Sequence, residues 1–202
     1  YIKAKANPCL RGAEIYFDNV TVGGTINAIL AAMGADDVVV INNAAKEPHV
    51  VDLANFLNTC GASIRGAGTS TIKIKPSTLH GCEYSIIPDM LEAGAYMVAA
   101  AATNGSVYVD GIIPKHIEAI SMKLIEMGAE IREFDDGVMV SSSLRLRSTK
   151  VKTMPYPGFP TDMQPLIAVL MCTADGVSEI KETIYENRFK YVEELKRMGA
   201  RV

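Results

Sequence analysis

The chain has 202 residues, 49% of them apolar, with 23 acidic and 20 basic side chains and a net charge of −3. That length can bury a substantial core and sets an expectation of one or two domains. With no Lys/Arg block, the charge balance argues against a dedicated nucleic-acid or membrane surface, while a few basic residues can still converge on one anionic small molecule.

The four cysteines, Cys9, Cys60, Cys82 and Cys172, form no CxxC pair, and the three histidines show no metal-ligand spacing. Reduced thiols in a cytosolic protein, without a structural zinc, are the expectation. The longest apolar stretch, near "GAYMVAAAATNG", is too short and too rich in small residues to span a bilayer, and no signal peptide is expected.

In chain order the pattern is one unit met three times. The first opens on the apolar helix "GGTINAILAAMGA", followed by the β-prone "VVVIN" and by "NNAAKEPHVVDLANFLNTCGASI", and closes on the alternating "STIKIK". The second runs through "DMLEAGAYMVAAAATNG", "SVYVDG", "DGIIPKHIEAISMKLIEMGAEI" and "GVMVSSS". The third has "TDMQPLIAVLMCTADG", "VSEIKE" and "ETIYENRFKYVEELKRMGARV", and reaches Val202 where its closing strands are expected. Gly61, Gly128 and Gly199 lie 67 and 71 residues apart. Val50, Leu53, Leu57 and Cys60, like Ile117, Ile120, Leu124 and Met127, recur at helical intervals, so each unit carries an amphipathic helix ended by a left-handed glycine. The order is helix, strand, helix, strand, strand, with roughly 70 residues per unit. Helices apolar nearly all round must be buried, so the first helices are expected to pack together with their sheets outward.

Positions that break the repeat are candidates for function. "YPGFPTDMQP" places Asp162 at the mouth of a buried helix, where the other units have Leu91 and Gly24. Thr161-Asp162 after a proline is an ordinary helix start, so a cap and a catalytic base both remain open. Arg188 stands where the earlier units have Val50 and Ile117. Opening a helix, it opposes the macrodipole, which leaves either an ion pair with Glu186 or another acid, or an anion-facing role. "TVGGT" enters a helix, where Gly-Gly either cradles a phosphate or permits a turn. Lys46-Glu47-Pro48 and Pro88-Asp89 lie at loop-to-helix junctions and read as caps, and His49 and His116 as structural.

"NAAKEPHVVDLANFLNTCGASIRGAGTSTIKI", "PYPGFPTDMQ" and "ETIYENRFKYVEELKRMGA" closely resemble the UDP-N-acetylglucosamine 1-carboxyvinyltransferases. The similarity runs from "YIKA" to "MGARV" and distinguishes this family from the sibling 5-enolpyruvylshikimate-3-phosphate synthases. The resemblance implies an α/β fold, the inside-out α/β barrel of repeated βαβαββ units, incomplete in a chain about half the family's length. Residues 1–86 would belong to one domain and 87–202 to the other. The implied reaction transfers the enolpyruvyl group of phosphoenolpyruvate to the 3-hydroxyl of UDP-N-acetylglucosamine and releases phosphate, in the cytoplasm, opening peptidoglycan precursor synthesis. Besides these two substrates the partners would be the remainder of the protein's own chain, with no cofactor, metal, nucleic acid or membrane.

By the same resemblance Asp162 matches the aspartate that takes the hydroxyl proton. Ile184 matches a sugar-nucleotide contact, Arg188 a motif arginine near the cleft, and Glu47 a further cleft residue. Asn19, Val20, Thr21, Val22 and Gly23 match the loop along the uridine diphosphate. Asn19 stands where the family usually has a lysine, and Met90 where many members have arginine. Those departures leave open a divergent, non-catalytic UDP-sugar-binding paralogue. No cysteine here matches the family's proton-donating one, which would fall upstream of Tyr1, so the chain alone is expected to be inactive.

Overall fold

The structure, a computed structural model, describes residues 3, 5–6, 9–142 and 145–202. Tyr1, Ile2 and Ala4 of "YIKA", and Ser143 at the close of "GVMVSSS", lie outside the described residues. The chain forms two compact units, Tyr1–Ile87 and Pro88–Val202.

In the first unit β1 (Ala13–Tyr16) leads through α1 (Val22–Ala32) to β2 (Val39–Asn42), and the two strands pair in parallel with Ile15 opposite Ile41. Parallel pairing requires a crossover, and α1 supplies it. After α2 (Pro48–Thr59), β3 (Ser63–Arg65) and β4 (Thr71–Lys75) complete a sheet of order β1-β2-β4-β3, with β4 antiparallel to both neighbours. The alternation of "TIKIK" is realised as Ile72 and Ile74 buried and the residues between them exposed. They pack with Val39, Ile41, Ile29 of α1 and Val50, Ala54 and Leu57 of α2.

The second unit begins with α3 (Met90–Ala102), capped by Asp89, whose carboxylate accepts from the Leu91 N–H at 2.8 Å and the Glu92 N–H at 3.4 Å. Then come β5 (Ser106–Asp110), a 3₁₀ turn (Pro114–Ile117), α4 (Glu118–Met127), β6 (Glu130–Glu133) and β7 (Gly137–Ser141), the strands forming an antiparallel sheet of order β5-β7-β6. Ile117, Ile120, Leu124 and Met127 are all buried, and Gly128 ends α4 at φ 104. The third repeat supplies β8 (Lys150–Lys152), a 3₁₀ turn (Thr161–Met163), α5 (Gln164–Cys172), β9 (Glu179–Lys181) and α6 (Val192–Arg197). β8 and β9 pair in parallel, as β1 and β2 do. The expected packing of first helices is present within this unit. Met97 of α3 and Ile167 and Leu170 of α5 share one core with α4, and a Cβ at Gly94 would lie 2.8 Å from both Ile120 Cδ1 and Met163 Cε.

Two expectations are corrected. The helix-first order read from the residue pattern gains a strand ahead of α1 and of α5, β1 and β8, as the βαβαββ unit implied by the resemblance has it; β1 is mostly exposed, and β8 is three residues with only Val151 buried between two exposed lysines. The long amphipathic helix expected from "ETIYENRFKYVEELKRMGARV" is six residues, with none of them buried. Helices of that length owe their stability to a packed apolar face. Here Val192 and Leu195 border a groove of about 760 Å³, shared with Met171, Ile180 and Phe189.

Candidate functional site

The candidate residues of each unit gather beyond the carboxyl ends of its parallel strand pair. Asn19 to Gly23 follow β1 and Glu47 follows β2; Asp162 follows β8, and Ile184 and Arg188 follow β9.

In the second unit, residues 154–160 fold back on the end of β8. The Met154 N–H donates to the Phe159 carbonyl at 3.0 Å, and Phe159 is buried in the core. Pro160, with extended backbone at φ −71, then delivers Thr161 and Asp162 into the 3₁₀ turn, and Pro165 stands in the first turn of α5. Asp162 makes no capping bond. Its Oδ1 accepts from Arg188 Nη2 at 2.7 Å, and its side chain stays 56% exposed. The capping alternative is therefore corrected: the carboxylate lies mid-turn and turns to a guanidinium.

For Arg188 the helix-opening position is corrected, while the expected ion pair is present, with an acid other than Glu186. Arg188 lies in a run of turns four residues ahead of α6, so no macrodipole opposes it. Its partner is Asp162, its Nη1 donates to Thr161 Oγ1 at 3.2 Å, and its guanidinium carbon lies 5.3 Å from the Tyr185 ring centre.

Glu182 organises this cluster, and the sequence reading passed it over. Its Oε1 accepts from Thr153 Oγ1 at 2.7 Å and from the N–H groups of Ile184 at 2.8 Å and Tyr185 at 3.0 Å. Its Oε2 accepts from Thr161 Oγ1 at 2.9 Å. Burial alone would raise this carboxyl, but the donors from Tyr185, Thr153, Ile184 and Thr161 outweigh it and hold it below its ordinary range. Glu182 thus sets the turn that presents Ile184, 42% exposed, and orients the hydroxyl that receives Arg188. Tyr191 secures the same segment, its hydroxyl donating to Gln164 Oε1 at 2.9 Å at the head of α5. A lone glutamate among threonines carries no motif, which is why it was missed.

In the first unit, Thr21 caps α1, its Oγ1 accepting from the Gly24 N–H at 3.2 Å. Val20 and Val22 pack on the core, while Asn19 and Gly23 are exposed. Gly23 and Gly24 lie inside the first turn of α1, not in a hinge before it. A Cβ at Gly24 would come within 2.4 Å of Thr21 Cγ2, whereas Gly23 has open space around it. Glu47 directly precedes Pro48, the first residue of α2. The two helix entries are tied together: Asn43 Nδ2 donates to the Phe17 carbonyl at 2.7 Å, and the Ala45 N–H donates to Thr25 Oγ1 at 3.0 Å. Asn43, at φ 54, and the fully buried Thr25 were not anticipated either. His49 is exposed and His116 partly buried, its imidazole lowered by that burial.

Among the described residues, no group of three His, Cys, Asp or Glu is placed to hold a metal ion, and no helix is long and apolar enough to cross a membrane.

The chain is 60% identical over its whole length to UDP-N-acetylglucosamine 1-carboxyvinyltransferase 3 of Caldanaerobacter subterraneus subsp. tengcongensis and covers 48% of that protein. To UDP-N-acetylglucosamine 1-carboxyvinyltransferase 2 of Clostridium acetobutylicum it is 52% identical, again over its whole length and 48% of the relative. The chain thus spans about half the length of the curated relatives it matches. Among solved structures, the enolpyruvyl transferase NikO from Streptomyces tendae aligns with a TM-score of 0.75 and 25% identity, over 86% of this chain and 42% of that one. EPSP synthase from Acinetobacter baumannii shares the fold, with a TM-score of 0.60 at 19% identity over 85% of this chain and 40% of the other. The family described as EPSP synthase (3-phosphoshikimate 1-carboxyvinyltransferase) matches residues 1–202, and the chain belongs to it.

Proposed function

We propose that the chain is part of an enzyme that transfers the enolpyruvyl group of phosphoenolpyruvate to the 3-hydroxyl of UDP-N-acetylglucosamine and releases phosphate. This is a cytoplasmic step of peptidoglycan precursor synthesis. The observation that carries the reading is Asp162, exposed and paired with Arg188 where a helix cap was open to it, in a chain 60% identical to a UDP-N-acetylglucosamine 1-carboxyvinyltransferase. Residues 1–86 are assigned to one domain of the fold and 87–202 to the other.

Arg188 holds Oδ1 of Asp162, and Oδ2 is offered to the sugar hydroxyl. Asp162 takes the hydroxyl proton as the sugar oxygen bonds to C2 of phosphoenolpyruvate, while C3 gains a proton from a donor outside this chain. Loss of a C3 proton and cleavage of the C2–O bond to phosphate then restore the double bond. Ile184 flanks the sugar, Asn19 to Gly23 run along the diphosphate, and Glu47 adds a polar wall. The proton donor lies elsewhere, so the isolated chain is inactive.

Phosphate release by the intact protein tests this, with phosphoenolpyruvate and either UDP-N-acetylglucosamine or shikimate 3-phosphate. Release with the sugar nucleotide alone, lost in Asp162→Asn, supports the reading; release with shikimate 3-phosphate alone assigns the sibling reaction. A non-catalytic UDP-sugar-binding protein is the second reading, favoured by exposed Asn19 and by Met90, which packs on the core at a position where the resemblance implies a cation in many members. Sugar-nucleotide binding without release, unchanged by Asn19→Lys and Met90→Arg together, supports that reading instead.

A further inference from the structure

Cys60 and Cys82 are 22 residues apart, and their sulfurs lie 2.9 Å from each other. Cys60 is buried and caps the C-terminal end of α2, directly after Thr59; Cys82 is half-buried in the stretch that follows β4. That stretch is strapped to α2 on both sides of the thiols. On one side the His80 N–H donates to the Cys60 carbonyl at 2.8 Å. On the other, the Tyr84 hydroxyl donates to Asp52 Oδ1 at 2.6 Å, and its ring meets Phe56 edge-on with centroids 5.5 Å apart. Gly61, at φ 97, leaves room for the strap, since a Cβ there would lie 2.9 Å from both the His80 ring and the Thr78 carbonyl. The two thiols are therefore held in register by contacts that do not involve sulfur. Closing a bond of about 2.0 Å between them needs a movement of roughly 1 Å, well inside side-chain rotation.

We propose that Cys60 and Cys82 form a reversible disulfide, made by exchange with a low-molecular-weight disulfide, that fastens the strap to the end of α2. Cys82 is the accessible thiol. As thiolate it attacks the small disulfide, forming a mixed disulfide and releasing one small thiol. Cys60 then attacks the Cys82 sulfur, forming the Cys60–Cys82 bond and releasing the second small thiol. The protons of both cysteines leave on the two small thiols, and the small disulfide is reduced. In the reduced pair the hydrogen bond with Cys82, then burial, holds the Cys60 thiol above its ordinary range, and because the thiolate is the attacking species the exchange quickens at alkaline pH. Among the described residues the exposed Cys9 and Cys172 are not paired with a second cysteine, so each can stop only at the mixed disulfide.

Oxidised glutathione, added to the intact protein under native conditions, tests the proposal. After blocking free thiols and digesting with trypsin without reductant, the peptide spanning 47–65 should be found joined to that spanning 74–115. The pair should separate on reduction, and proteolysis within residues 76–87 should slow by about ten-fold while it is joined. Cys82→Ser and Cys60→Ser should each abolish the joined pair, with Cys9 and Cys172 still carrying glutathione. A glutathione adduct on Cys82 with Cys60 remaining a thiol, or both remaining thiols while Cys9 reacts, would overturn it.

Discussion

Arg188 and Asp162 meet through a single 2.7 Å contact between Nη2 and Oδ1, with the arginine side chain 25% and the aspartate 56% exposed. The pair joins a segment after β9 to one after β8, beyond the ends of two parallel strands. A half-exposed ion pair adds only about 0–1 kcal/mol to stability. Asp162→Asn should therefore unfold within about 1 kcal/mol of the parent while phosphate release by the intact protein falls by roughly 10²–10⁴-fold, the range of a lost general base. Denaturant unfolding and a phosphate assay on the same samples check both halves. A loss of stability matching the loss of rate would make Asp162 structural.

Glu182 should behave in the opposite way. Its folded-state pKa lies below the ordinary carboxylate value, so it stabilises the fold above that value, and the contribution is lost as pH falls through the depressed one. Glu182→Gln should lower stability by roughly 1–2 kcal/mol near neutrality, the scale of a charged acceptor weakened but not deleted. It should also flatten the acid side of the stability profile. Urea unfolding from about pH 7 down to about pH 3 measures this, and parallel profiles for parent and variant would contradict it.

Gly24→Ala tests the loop assigned to the diphosphate. The added methyl would lie 2.4 Å from Thr21 Cγ2 and 3.1 Å from Phe17 Cε1, displacing the threonine that caps α1. Loss of the cap costs about 0.5–2 kcal/mol, partly offset by alanine's helix preference over glycine. In the intact enzyme KM for the sugar nucleotide should rise several-fold with kcat nearly unchanged, because the groups around Asp162 are untouched. Steady-state kinetics with the nucleotide varied decides it, and a fall in kcat alone would detach this loop from binding.

Tyr84 offers a spectroscopic check on the strap. Its hydrogen bond to Asp52, then burial, push the phenol up to about 12. A raised folded-state value means the contribution to stability is complete below the ordinary tyrosine pKa and lost as pH climbs through the folded one. Alkaline difference absorbance should show one tyrosine ionising after the others, missing in Tyr84→Phe. Unfolding of the parent, but not of that variant, should weaken over the same window.

The repeat was legible because its signals are local. Apolar spacing marked α2 and α4, alternation marked β4 and β7, and the left-handed Gly61, Gly128 and Gly199 fell where a helix must stop. α6 was overestimated because an amphipathic pattern states only which face seeks cover, and little covers Val192 and Leu195. The residue pattern did not mark β1 and β8 because β1 is mostly exposed and the single exposed-buried-exposed step of β8 is too short to establish a period. The candidate residues came from motif resemblance, whereas Glu182, Thr161 and Thr25 act through pairings 20 or more residues distant, which no local pattern encodes.

By itself the sequence determined the repeat, the buried faces of α2, α4 and β4, and the family, since periodicity and long motifs are written residue by residue. Only the tertiary structure decided that Asp162 pairs with Arg188 instead of capping α5, that Glu182 ties Thr161 to Ile184, and that Cys60 lies beside Cys82. Each is a choice among partners distant in the chain, and it is settled by which strand ends and loops the packed core brings within a hydrogen bond's reach.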